Sequence, residues 1–129
     1  MHLLKRASRV WLAAVLGLAC GGDGDPGEAP TQSCAIKNSG NVPGSDACTD
    51  YVGWPGGVVL QLCSQPGATY SSEACPTSKR IGGCRGSGLA GGHYIRWYYP
   101  RADASPSPTA ADVMEDCMSI EPKETFVAP

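Results

Sequence analysis

The longest apolar stretch in the pattern of oily and polar positions is "VWLAAVLGLA", residues 10–19, preceded by Lys5, Arg6 and Arg9. Ten such residues are half of the roughly 20 that a helix needs to cross a bilayer. A basic start followed by a short apolar run is instead the layout of a secretory signal. The pattern then turns polar at once: "GGDGDPGEAPTQS", residues 21–33, holds almost no apolar side chain and has the composition of a linker.

Further on, apolar positions recur over short distances. Val113, Cys117 and Ile120 fall at helical spacing, with Pro106 and Pro108 before them, Thr109 placed to cap, Asp112 three residues later and Pro122 as a stop, so a helix is predicted there. "VVLQLC", residues 58–63, fits two periods: Val59, Leu62 and Cys63 share a helical face, while Val58, Leu60 and Leu62 alternate as in a strand. A degenerate internal repeat favours the helix. "VVLQLCSQPGATY" and "DVMEDCMSIEPKETF" each run from an apolar stretch to a cysteine, a proline turn and a Thr-aromatic pair, which reads as helix, cysteine, turn, short strand.

"HYIRWYY", residues 93–99, is rich in β-formers and predicts a strand paired with the segment around "KRIGGC" through the glycine-rich turn at 86–92. Alternation places His93, Ile95, Trp97 and Tyr99 on one face and Tyr94, Arg96 and Tyr98 on the other. The expected class is α+β: a small, loop-rich, disulfide-stapled domain with one or two short helices and a small antiparallel sheet.

Composition explains why staples are needed. The 129 residues include 17 Gly and 11 Pro but only one Phe and three Trp, and a core so poor in large side chains does little to offset chain entropy. Seven cysteines in a chain with an export signal read as a disulfide framework. With Cys20 set apart, Cys34, Cys48, Cys63, Cys75, Cys84 and Cys117 form an even set for three bridges, whose pairing the sequence leaves open. No two of the six have CxxC spacing and only His93 remains once the signal is removed, so no metal or cofactor is expected. Loss of Lys5, Arg6 and Arg9 leaves seven basic residues against twelve acidic ones. That balance disfavours nucleic acid and anionic headgroups as electrostatic partners.

The segment Gly17-Leu18-Ala19-Cys20 ends the apolar run with small residues and a cysteine, and it resembles the lipobox of bacterial lipoproteins. It differs at Gly17, where that family usually carries Leu. The resemblance implies that the Cys20 thiol receives a diacylglyceryl group, that a dedicated peptidase cuts before Cys20, and that the new amino group is acylated. It divides the chain into a signal peptide (1–19), a lipid-anchored linker (20–33) and a Cys-rich disulfide domain (34–129). Each buried methylene contributes about 0.8 kcal/mol, so two or three acyl chains anchor stably, and a linker of this kind reaches roughly 20 Å. Gly21 after the lipidated cysteine, in place of Asp, implies the outer membrane of the cell envelope. The order "ACTDYVG", "SSEACP", "KRIGGC", "RWYYP" and "CMSIEPKETFVAP" also resembles small Cys-rich lipoproteins of high-GC Gram-negative bacteria, which implies export and architecture without an activity.

Several motifs invite stronger readings. "GSGLAG", residues 86–91, spells GxGxxG, but an aromatic strand follows it where a dinucleotide site needs a helix. "KRIGG", residues 79–83, resembles the activation site of trypsin-like proteases, yet no "GDSGG"-like segment exists and too little chain follows. Lys79 and Arg80 between Cys75 and Cys84 could instead be an inhibitor loop held ready for such a protease. His93 has no "GxSxG" partner for hydrolysis, and Glu115-Asp116 on the helix reads as a solvated face. Tyr94, Trp97, Tyr98, Tyr99 and Trp54 could stack on a glycan or anchor a protein partner, or divide between core and cover. The expectation is a non-catalytic structural or binding module in the envelope, with the inhibitor loop and the aromatic strand as alternatives.

Overall fold

Among the described residues, helical spacing and alternation become two helices and six strands. The computed structural model describes residues 32–88 and 91–129; the signal peptide, Cys20 and all but the last two linker residues lie outside them. In chain order the elements are β1 (Gln32–Ile36), β2 (Ser45–Val52), α1 (Gly56–Leu62), β3 (Ala68–Ser71), β4 (Gly82–Ser87), β5 (His93–Pro100), α2 (Ala110–Ser119) and β6 (Thr125–Val127). The strands form one sheet in the order β3-β1-β2-β5-β4-β6, antiparallel throughout. The domain is thus α+β and stapled by three disulfides, Cys34–Cys63, Cys48–Cys75 and Cys84–Cys117.

One boundary moves. Gln32 and Ser33, expected in the linker, are buried residues of β1. Both read as polar in sequence, but the Gln32 amide donates to the Trp54 carbonyl and the Ser33 hydroxyl to the Glu73 carbonyl. Buried polar groups with partners are tolerated.

The repeat extends beyond the segments that announce it. β1, β2, α1 and β3 form one ββαβ unit, and β4, β5, α2 and β6 form a second. Tyr70, Cys34, Thr49, Arg96, Cys84 and Phe126 stand opposite one another across all six strands, and paired residues share a face. The row reads the same from either end: aromatic, cysteine, central residue. A pseudo-twofold axis therefore passes through the Thr49–Arg96 pair, perpendicular to the sheet.

Cys34 and Cys84 reach Cys63 after α1 and Cys117 within α2, so both helices cover the face carrying this row. Val59 and Val113, each four residues before its cysteine, are fully buried. The core cluster at α2 gathers Val42 and Ala47 from the first unit with Cys84, Tyr98, Val113 and Cys117 from the second, with Ile81 and Phe126 against it.

Among the described residues, no helix covers the opposite face. The chain leaving β3 crosses it over residues 72–81, where Cys75 is bonded to Cys48 and packs with Trp97. Asp50 holds this strap: its carboxylate accepts from the Cys75 N–H at 2.8 Å and from the Trp97 indole N–H at 3.0 Å, with Arg80 at 3.8 Å.

Candidate functional site

The five aromatic candidates do not make one surface. Strand alternation sends Trp97 and Tyr99 to the strap face, where Trp97 is buried and the Tyr99 hydroxyl donates to the Pro76 carbonyl. Tyr98 is fully buried on the helix-bearing face, in the core that includes Val113 of α2. Trp54 and Tyr94 meet edge to face at 6.3 Å, and Tyr51 joins them at 5.0 Å from Trp54. The Trp54 indole N–H donates to the His93 carbonyl at 3.0 Å. Tyr51 escaped the sequence reading because its strand lies far from "HYIRWYY" in the chain; register places it directly opposite Tyr94.

The basic loop differs from its expected form. Cys75 and Cys84 bracket Lys79 and Arg80 without bonding each other, since their partners are Cys48 and Cys117. Lys79 is exposed with φ of 62°. The Arg80 guanidinium lies 3.9 Å above the Trp97 ring and donates to the carbonyls of Pro76 and Cys75. The strap thus engages Arg80 against the sheet, where cation–π stacking and hydrogen bonds hold it.

On the helix face, Arg96 at the pseudo-twofold axis is the centre of a polar knot. Its Nε–H donates to the Tyr98 hydroxyl at 2.7 Å, and its Nη2 meets Glu124 at 3.2 Å and Asp116 at 3.4 Å. The Tyr98 hydroxyl donates to Asp116 at 2.6 Å, and the Tyr94 hydroxyl to Glu124 at 3.0 Å. Burial, then the Asp116 hydrogen bond, pushes the Tyr98 phenol up to about 12. Tyr94 is raised by burial and by the Glu124 carboxylate. Burial alone would lower Arg96, but Tyr98, Glu124 and Asp116 outweigh it and raise it.

Asp116 is therefore ion-paired beneath α2, a correction to its reading as part of a solvated face, while neighbouring Glu115 is exposed. Through Nε and Nη2, Arg96 fixes α2 and the turn after it to the sheet. Removing one partner from such a buried pair costs far more than removing an exposed one.

Beside the knot lies a cleft of about 540 Å³ between the end of β4, the turn at 120–124 and the start of β5. Arg85, Ser87, His93, Tyr94, Lys123 and Glu124 contribute to its lining. The Tyr94 ring lies across Gly86, where an added Cβ would sit 2.3 Å from the ring, so only glycine permits this arrangement. Glu124 is held at the inner wall both by Arg96 and through its N–H, which donates to the Cys117 carbonyl at 3.0 Å. His93, the residue any histidine-dependent hydrolysis would need, lines the cleft at the head of β5.

Among the described residues, no group of three metal-ligating side chains gathers, and no helix is long and apolar enough to cross a membrane. Comparison with protein families, with curated proteins and with solved structures finds no match to this chain.

Proposed function

We propose that this chain is an exported protein of the bacterial cell envelope, lipid-anchored through Cys20 at the outer membrane, whose domain is a non-catalytic binding module. The observation that carries the binding role is the cleft at the end of β4, bordered by an ion-paired turn in a cross-linked domain. Pockets of this size accommodate small ligands. Three disulfides support an oxidising compartment. Because those bridges use Cys34, Cys48, Cys63, Cys75, Cys84 and Cys117, Cys20 is the remaining thiol, in keeping with a separate role in anchoring. A mature chain with more acidic than basic residues fits a partner other than nucleic acid.

The anchor is tested by intact mass and detergent-phase partition of the protein from native membranes. The expected result is acyl mass on an N-terminal Cys20 and partition into detergent, both lost in Cys20→Ala. An unmodified Cys20 in the mature protein would overturn the anchoring.

A further inference from the structure

The two units differ at the strand edge beside the cleft, and there hydrogen-bonding groups are turned toward it. In the first unit the β1–β3 ladder runs one rung past its strands: the Lys37 N–H donates to the Gly67 carbonyl at 3.3 Å. Ser87 is the counterpart of Lys37, because Cys34 and Cys84 hold matching places in the common row. The turn from Cys117 to Phe126 is two residues longer than that from Cys63 to Tyr70, and β6 pairs with β4 only as far as Thr125 opposite Arg85. The Gly88 N–H is taken by the Gly92 carbonyl at 2.7 Å. Alternation along the strand then directs the Ser87 N–H and C=O to the opposite edge, beside the cleft that Ser87 and Lys123 line.

Charge completes the arrangement. Arg85 and Lys123 line this cleft and make no ion pair among the described residues. Arg96 pairs with Glu124 but shares its charge with Asp116, so Glu124 at the inner wall and Glu121 at the rim are the carboxylates that an incoming anion meets beside Arg85 and Lys123. The geometry points to a site for the carboxylate end of a short extended peptide. Its backbone carbonyl accepts from the Ser87 N–H, as Gly67 does from Lys37, and its carboxylate pairs with Arg85 and Lys123. This is strand-edge recognition combined with capture of a terminal carboxylate. A lone phosphate would use the cations and leave the strand edge unpaired. The assignment names the ligand chemistry of the cleft and rests on the binding-module reading.

The test is titration of the full-length, disulfide-bonded protein with N-acetyl-dialanine, followed by tryptophan fluorescence and by amide NMR shifts. Saturable binding is expected with a shift at the Ser87 amide, weakened about tenfold in Arg85→Ala and in Lys123→Ala at unchanged melting temperature. Glu121→Gln should tighten it, a response that a purely structural role would not give. Full affinity in the double Arg85→Ala, Lys123→Ala variant overturns the assignment. Shifts of the cleft amides with inorganic phosphate but not with the peptide also overturn it, while leaving the binding-module reading in place. Silence with both probes at millimolar concentration removes both. The acylation state of Cys20, read by mass, does not bear on this titration.

Discussion

Val59 in the first unit and Val113 in the second occupy the same place, four residues before a helix cysteine, and neither is exposed. One residue on, Leu60 and Met114 are both exposed. Two further on the units diverge: Leu62 is 49% exposed, whereas Asp116 in the matching place is drawn down to Arg96 and Tyr98. Across the axis Thr49 faces Arg96, so the charged half of the knot belongs to the second unit alone. The first unit closes its turn onto the strand by a backbone rung. In the second, an ion-paired network fixes a longer turn that stands off from the strand. One covalent plan therefore supports a sealed edge on one side and a cleft with fixed walls on the other.

The largest expected difference lies in the bridges. The loops closed by Cys84–Cys117 and Cys34–Cys63 span 33 and 29 residues, so chain entropy values them almost equally, at about 3.7 and 3.6 kcal/mol. Packing distinguishes them, because Cys84 and Cys117 sit in the cluster with Tyr98 and Val113. Replacing both cysteines by alanine should therefore lower the melting temperature further in the second unit than in the first. Equal drops in thermal unfolding would show that this packing carries no weight.

Next come the paired valines. Val113→Ala is expected to cost roughly 2–3 kcal/mol, since a cavity opens within a packed cluster. Val59→Ala should cost less, roughly 1–2 kcal/mol, because α1 is flanked by exposed Leu60 and Leu62 and its site can relax. Urea unfolding of the two variants checks the order, and a larger loss at Val59 would reverse it.

Much of this plan is legible in the chain. The spacing of Val113, Cys117 and Ile120 and the Thr109 cap foretell α2, although Ile120 falls just past its end. The parallel between "VVLQLC" and "DVMEDC" selects helix over strand for α1. What stays hidden is pairing across distance. Nothing local to Asp116 or Glu124 announces Arg96, because the contacts depend on which strand lies beneath α2. The same holds for Tyr51 beside Trp54. The Cys75 to Cys84 stretch reads as a closed loop only because its cysteines are neighbours in sequence, while sheet order carries each to a different partner.

The knot itself predicts a smaller loss. In Tyr98→Phe, Asp116 and Arg96 lose the shared hydroxyl, at about 1–2 kcal/mol. Tyr51→Phe, at the equivalent place across the axis, should cost less. The alkaline limb separates this from packing. Tyr98 is pushed up from its ordinary 10 to about 12 by burial and by Asp116, so the folded protein holds the phenol proton more tightly than the unfolded chain. That stabilisation is complete below the ordinary value and is lost as pH rises through about 12. Denaturant unfolding should show stability falling over this interval, and less steeply in Tyr98→Phe; an unchanged slope would remove the phenol from the account.

The smallest contrast is at the helix starts. Pro55 precedes α1 with no side-chain cap, whereas Thr109 and Asp112 form a reciprocal box at α2: the Thr109 N–H donates to the Asp112 carboxylate at 2.7 Å, and the Asp112 N–H to the Thr109 hydroxyl at 3.4 Å. Thr109→Ala should cost roughly 1 kcal/mol, as loss of a cap does, while Pro55→Ala removes no such bond and should change the stability of α1 little. Hydrogen bonds from the Thr109 N–H and hydroxyl hold the Asp112 carboxyl below its ordinary 3.8. Its contribution is therefore present above that value and is lost as pH falls through the lower folded one. Acid unfolding followed by circular dichroism should begin at higher pH in Asp112→Asn than in the parent, because the variant lacks the stabilisation the carboxylate provides until it is protonated. Coincident acid limbs would mean that the box orients the chain entering α2 without stabilising it.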